Sequence, residues 1–166
     1  VSDYLRSTRE CAVTQLRPEL RRALEEYFQK HELGEFEAVL CCQTVSEKKE
    51  PGWLDSLFGE RAETPVYSAA LLTATHLIWA RSGPQTGTSV TAADLHFIRV
   101  KPHTSLLVRD NGLEISGLIG EPKANVTGYL GMGPEPAAVK FLEAVQGAIA
   151  QVNPESTRKW PSWMGR

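Results

Sequence analysis

Three cysteines, Cys11, Cys41 and Cys42, and four histidines, His31, His76, His96 and His103, are the side chains best suited to chemistry in this chain. A zinc site needs such residues at convergent spacing, Cys-x-x-Cys for example. Here they are scattered and no such spacing occurs. Three cysteines are also too few, and odd in number, for a disulfide framework. Neighbours on a strand point to opposite faces, so Cys41 and Cys42 should not pair with each other. Mid-strand burial makes them inert core residues. Nucleophilic catalysis by serine needs an adjacent base, and no Gly-x-Ser-x-Gly elbow is present. Gly131-Met132-Gly133 precedes a helical pattern, as a phosphate loop would, but the terminal Lys and Ser/Thr of a P-loop are missing. A strand-to-helix turn is the better reading. Glu25 and Glu26 belong to a solvated helix face. The expectation is a non-catalytic chain with no cofactor and no metal. An active site assembled only in space is the residual alternative.

Composition narrows the rest. An apolar share of 42% supports a buried core, and 166 residues suit one domain. A net charge of −2 lacks the basic surplus that phosphate contacts demand, so no nucleic-acid partner is expected. The longest apolar run, Val66 to Ala74, is strand-sized and too short to span a bilayer. Residues 1–10 lack the apolar stretch of a secretory signal. The cysteine usage points to a reducing cytoplasm.

The elements follow from periodicity. Residues 1–15 show no clear period and read as a flexible segment. Pro18 suits a first helical turn. Leu20, Leu24, Tyr27, Phe28 and His31 then share one face of a helix over 16–33, with Gly34 as its stop. Strands fit Ala38–Val45, Val66–Thr73, His76–Arg81, Gly87–Thr91, Leu95–Lys101 and Val126–Leu130. Asp110-Asn111-Gly112 suits a two-residue hairpin, which would oppose Arg109 to Glu114 and Val108 to Ile115. Ala138, Phe141, Leu142, Val145, Ile149 and Val152 line one face of a helix over 135–152, ended by Asn153-Pro154. Residues 16–153 thus form a single domain, followed by a basic, aromatic tail over 154–166. The expected fold is mainly β: an antiparallel barrel of seven or eight strands, capped by the C-terminal helix, with an extra N-terminal helix.

The segment Leu72-Thr73-Ala74-Thr75-His76-Leu77-Ile78-Trp79 resembles a hairpin of bacterial pleckstrin-homology-like and GRAM-like domains. Gly112 to Gly117, Tyr129 to Gly133 and the Phe141–Leu142 helix are similar to the remainder of that pattern, over roughly residues 37–152. The resemblance implies the barrel with its helical plug, and a binding role. Lipid binders of that family carry cations on the first strand, in the first loop and at the start of the second strand. Lys48 and Lys49 fit, but Val66-Tyr67-Ser68 supplies none. Over 46–64, three cations face five acids, which weakens attraction for a phosphate.

Two segments could dock something. In the loop, Trp53, Leu54, Leu57 and Phe58 space large apolar groups as one helical turn would. In the tail, Trp160 and Trp163 stand near Arg158 and Lys159. Each folds back on its own domain or meets a partner. With Lys48 and Lys49 these residues form the candidate site for a protein partner or a second copy of the chain. The alternative is a membrane surface, which would make the protein cytoplasmic but peripheral. Gly147 and Ala150 lie opposite the apolar face of the last helix, where small residues would admit another helix, the N-terminal one of the same or a neighbouring chain being the candidate.

Overall fold

The computed structural model describes residues 4–48, 65–103 and 112–154. They form two antiparallel sheets and two α-helices. The first sheet is a five-strand meander: β1 (Tyr4–Glu10), β2 (Leu40–Lys48), β3 (Val66–Leu72), β4 (His76–Gly83) and β5 (Gly87–Asp94). The second holds β6 (Ile98–Pro102), β7 (Gly112–Ile119) and β8 (Ala124–Gly131). Helix α1 (Pro18–Lys30) lies between β1 and β2 in the chain, and α2 (Pro136–Val152) follows β8. None of the described helices is long and apolar enough to cross a membrane.

The five-stranded sheet is covered on both faces, which explains why β2, β3 and β4 are apolar at both parities. Its outer face carries Cys41, Leu71 and Ile78 in one register row and Ala69 and Ala80 in the next. Leu20, Leu24 and Phe28 of α1 bury themselves on those rows. The inner face carries Leu40, Leu72, Leu77 and Ala93 in one row. Against it lie Leu113, Ile115 and Leu130 of the second sheet and Phe141, Val145 and Ile149 of α2. Cys41 and Cys42 fall in the two separate cores, as alternation requires.

Closure into a barrel does not occur among the described residues. Asp94 accepts from the His96 amide at 2.9 Å, starting a 3-10 turn over Leu95–Phe97 that swings the chain out of the first sheet. At the other side β1 does not ladder onto β8. It is pinned by side chains: the Gly133 amide donates to Thr8 Oγ1 at 2.8 Å, and Glu135 accepts the Thr8 amide at 2.8 Å. Helix α2 seats Phe141, fully buried, between the sheets, with Leu142 partly buried beside it.

Four further expectations need correction. Within the segment 1–15, expected to be flexible, Tyr4–Glu10 forms β1 and pairs with β2 from Tyr4↔Lys48 to Glu10↔Cys42, so those residues are part of the sheet. Helix α1 stops before Gly34. Leu33 N–H reaches Phe28 O at 3.1 Å while Glu32 takes φ +51°, a left-handed cap usually given to glycine. Glu114 and Ile115 face Lys101 and Val100 on one side and Tyr129 and Gly128 on the other. With both edges of β7 taken, the hairpin register through Arg109 and Val108 does not form; those two residues lie outside the described ones. Helix α1 covers the opposite face of the first sheet from α2, so within one chain it does not approach Gly147, where an added Cβ would meet nothing within 4 Å among the described residues.

Candidate functional site

Alternation along the five strands builds an inner face that changes character row by row. Beyond the apolar row containing Leu72 and Leu77 comes Cys42–Ala70–Trp79–Thr91, then Thr8–Thr44–Ser68–Arg81–Ser89, then Arg6–Ser46–Val66. The second sheet and α2 cover the apolar end. The polar end opens into a cleft of about 360 Å³. Its walls come from β1 through β5 and from Tyr129, Leu130 and Gly131 of β8. That size lies within the range of small-ligand pockets.

Two arginines stand in this cleft. Arg6 is half-buried, with its guanidinium carbon 5.3 Å from the Tyr4 ring centre and 5.8 Å from that of Tyr129. Both distances allow cation–π attraction, which holds the planar cation against the two rings. Gly131 makes this possible, since a Cβ there would stand 2.5 Å from Arg6 Nε. Arg81 is exposed, with Ser68 and Ser89 as its register neighbours. It makes no side-chain hydrogen bond or ion pair with any described residue. Trp79 forms the half-buried floor. No acidic side chain lines the described walls.

The turn Gly131-Met132-Gly133 serves this arrangement rather than a ligand. Its Gly133 amide is taken by Thr8 Oγ1, and Met132 is buried in the core. A Cβ at Gly133 would come within 2.7 Å of the Arg6 carbonyl oxygen. The glycine therefore lets the turn approach β1 closely. Burial pushes the Glu135 carboxyl up, but hydrogen bonds from the Thr8 amide, its own amide and the Ser7 hydroxyl more than offset this and hold it below the usual carboxylate range.

Of the residues singled out from sequence, Lys48 is described: it ends β2, in register with Tyr4 and on the same parity as Ser46, but it is not among the residues that line the cleft. Lys49, Trp53, Leu54, Leu57, Phe58, Arg158, Lys159, Trp160 and Trp163 lie outside the described residues. Arg6 and Arg81 escaped the sequence reading. Arg81 had a signal, because Leu77, Trp79 and Arg81 alternate onto one face of an apolar strand. Arg6 had none without knowing that residues 4–10 are a strand. His76 pairs with Asp94 in register and His96 Nδ1 lies 2.9 Å from Asp94 Oδ1, but no group of three or more metal-binding side chains exists among the described residues.

No protein-family model, curated protein or solved structure matches this chain.

Proposed function

We propose that this chain is a non-catalytic binding module whose ligand carries an oxyanion, phosphate or carboxylate, held between Arg6 and Arg81 with its body against Trp79. The observation that carries this reading is the inner-face row Ser68–Arg81–Ser89 opening, beside Arg6, into a cleft without an acid on its described walls. Guanidinium groups present paired donors that match an oxyanion, and serine hydroxyls fill the remaining acceptor positions. The described walls offer no histidine, carboxylate or thiol to accept a proton, which favours binding over turnover.

The pleckstrin-homology-like reading of the fold is part of the same proposal. What supports it is the antiparallel meander from β2 to β8, with the last helix seated in the opening between the sheets. The cations used here sit on β1 and β4, away from the places where lipid binders of that family carry theirs. A free oxyanion ligand and a lipid headgroup share the required chemistry. A protein partner or self-association through the loop and tail is the reading that takes its place if no probe binds.

Calorimetric titration with inorganic phosphate, phosphoserine and citrate tests the reading, with vesicles of anionic phospholipid as the lipid arm. Saturable binding of a soluble probe, weakened about ten- to hundredfold in Arg81→Gln, is expected, since one charge-assisted hydrogen bond contributes about 1.5–3 kcal/mol. Binding to vesicles alone, lost in the same variant, assigns the oxyanion to lipid. No binding of any probe, or equal binding by Arg81→Gln, overturns the proposal.

A further inference from the structure

β1 brings Cys11 beside Cys41. The Cys11 amide donates to the Cys41 carbonyl at 3.0 Å, extending the β1–β2 register one residue past Glu10↔Cys42. Hydrogen-bonded antiparallel neighbours have Cα atoms about 5.5 Å apart. That falls inside the roughly 4.4–6.8 Å window a disulfide requires. The two sulfurs are already 4.0 Å apart on the α1 side of the sheet. Cys11 is partly exposed and Cys41 buried, yet both line a surface cleft of about 600 Å³ with Glu10, Val13 and Val39. A small reagent can therefore reach the pair. Cys42 cannot take part from its side of the sheet, where its thiol donates toward Ala137 O at 3.8 Å.

We propose that Cys11 and Cys41 are a thiol-oxidation site that closes reversibly into a disulfide on meeting a two-electron oxidant of the hydroperoxide class. The electrostatics suit unequal roles. A hydrogen bond from the Cys41 thiol lowers Cys11 to about 7, against the opposing effect of burial and with help from Arg9 and the Gln43 amide; Glu10 works weakly the other way. Cys41 is pushed up by that same hydrogen bond, by burial and by the Cys11 charge, so it keeps its proton. Cys11 is thus the attacking thiolate and Cys41 the resolving thiol. The Cys11 sulfur attacks one peroxide oxygen, the O–O bond breaks, and the departing hydroxide takes up a proton as water. This leaves Cys11 as the sulfenic acid. The Cys41 sulfur then attacks the Cys11 sulfur, the S–O bond breaks, and the hydroxide leaves with the Cys41 proton as a second water. Two thiols and one peroxide become one disulfide and two waters. The bond would staple β1, the strand carrying Arg6, to β2.

The test is oxidation of the full chain with stoichiometric hydrogen peroxide, then alkylation and intact-mass measurement. The expected product is a monomer lighter by two hydrogen atoms, restored by dithiothreitol, with peptide mapping linking Cys11 to Cys41. The loss should persist in Cys42→Ser. In Cys41→Ser it should stop at a sulfenic acid trapped by dimedone. Fragment sequencing of the linked wild-type peptides gives the same assignment if a variant fails to fold. Sulfinic or sulfonic acid at Cys11 with Cys41 still alkylatable, a linkage to Cys42, or a disulfide-joined dimer would overturn the proposal.

Discussion

Thr8 Oγ1 lies 2.7 Å from Thr44 Oγ1 in a hydrogen bond closed off from solvent, and the same Thr8 oxygen accepts the Gly133 amide. These two contacts join the edge strand both to its neighbour and to the turn before α2. Thr8→Val keeps the shape and removes the oxygen, leaving an amide and a hydroxyl buried without their partner. The expected cost is about 1–3 kcal/mol. Urea unfolding should show a lower midpoint with an unchanged slope. An unchanged midpoint would mean that the contact does not hold β1.

Glu135 fastens the same strand through the Thr8 amide. Its folded-state carboxyl is held below the usual range, so its contribution to stability is fully present above the unfolded value of about 4.3. It is lost as pH falls through the folded value. Glu135→Gln should therefore be less stable than the wild type at pH 7, with the gap narrowing steadily below about pH 4.3. Thermal unfolding across that range measures it. A gap independent of pH would contradict the ionised contact.

Phe141 is fully buried between the sheets, whereas the adjacent Lys140 reaches Glu10 at 2.7 Å on the surface. Phe141→Ala should cost about 3–5 kcal/mol through lost burial and a cavity. Lys140→Ala should change stability by less than about 0.5 kcal/mol, because exposed ion pairs contribute little. Chemical denaturation of both variants gives the contrast. Similar losses in the two would place the helix wrongly.

Cys11 should react with iodoacetamide along a pH profile centred near 7, its lowered value. The rate should rise with pH through that point and level off above it. The Cys42 thiol, pushed up to about 12 chiefly by burial, should stay unreactive in the folded protein. Peptide-resolved alkylation kinetics separates the two. A Cys11 midpoint near that of a free thiol would remove the thiolate role.

Strong periodicity made part of this fold legible in advance. Phe141, Val145 and Ile149 repeat at helical spacing, and the helix they define begins within one residue of its expected start. The strands beginning at Val66, His76 and Gly87 likewise carry apolar or alternating runs that need no distant partner to be read. β1 is different. Tyr4, Arg6 and Thr8 face inward and Leu5, Ser7 and Arg9 outward, which gives no hydrophobic alternation. Its strand identity comes from pairing with β2, thirty or more residues away. The Asn111-Gly112 signal favoured a tight hairpin, but β6 and β8 occupy both edges of β7 and override it. The cleft inherits the first of these difficulties. Arg81 was readable from its strand, while Arg6 and the Cys11–Cys41 contact required the missing strand.

We propose that an oxyanion sits between Arg6 and Arg81. An NMR titration of the labelled chain with phosphoserine addresses it most directly. The result expected is a saturable set of shifts at the Trp79 indole and at the amides of Ser68, Arg81 and Ser89, fading as salt is raised. Shifts confined to α1 or to the surface around Lys140, or none at all at millimolar probe, would contradict it.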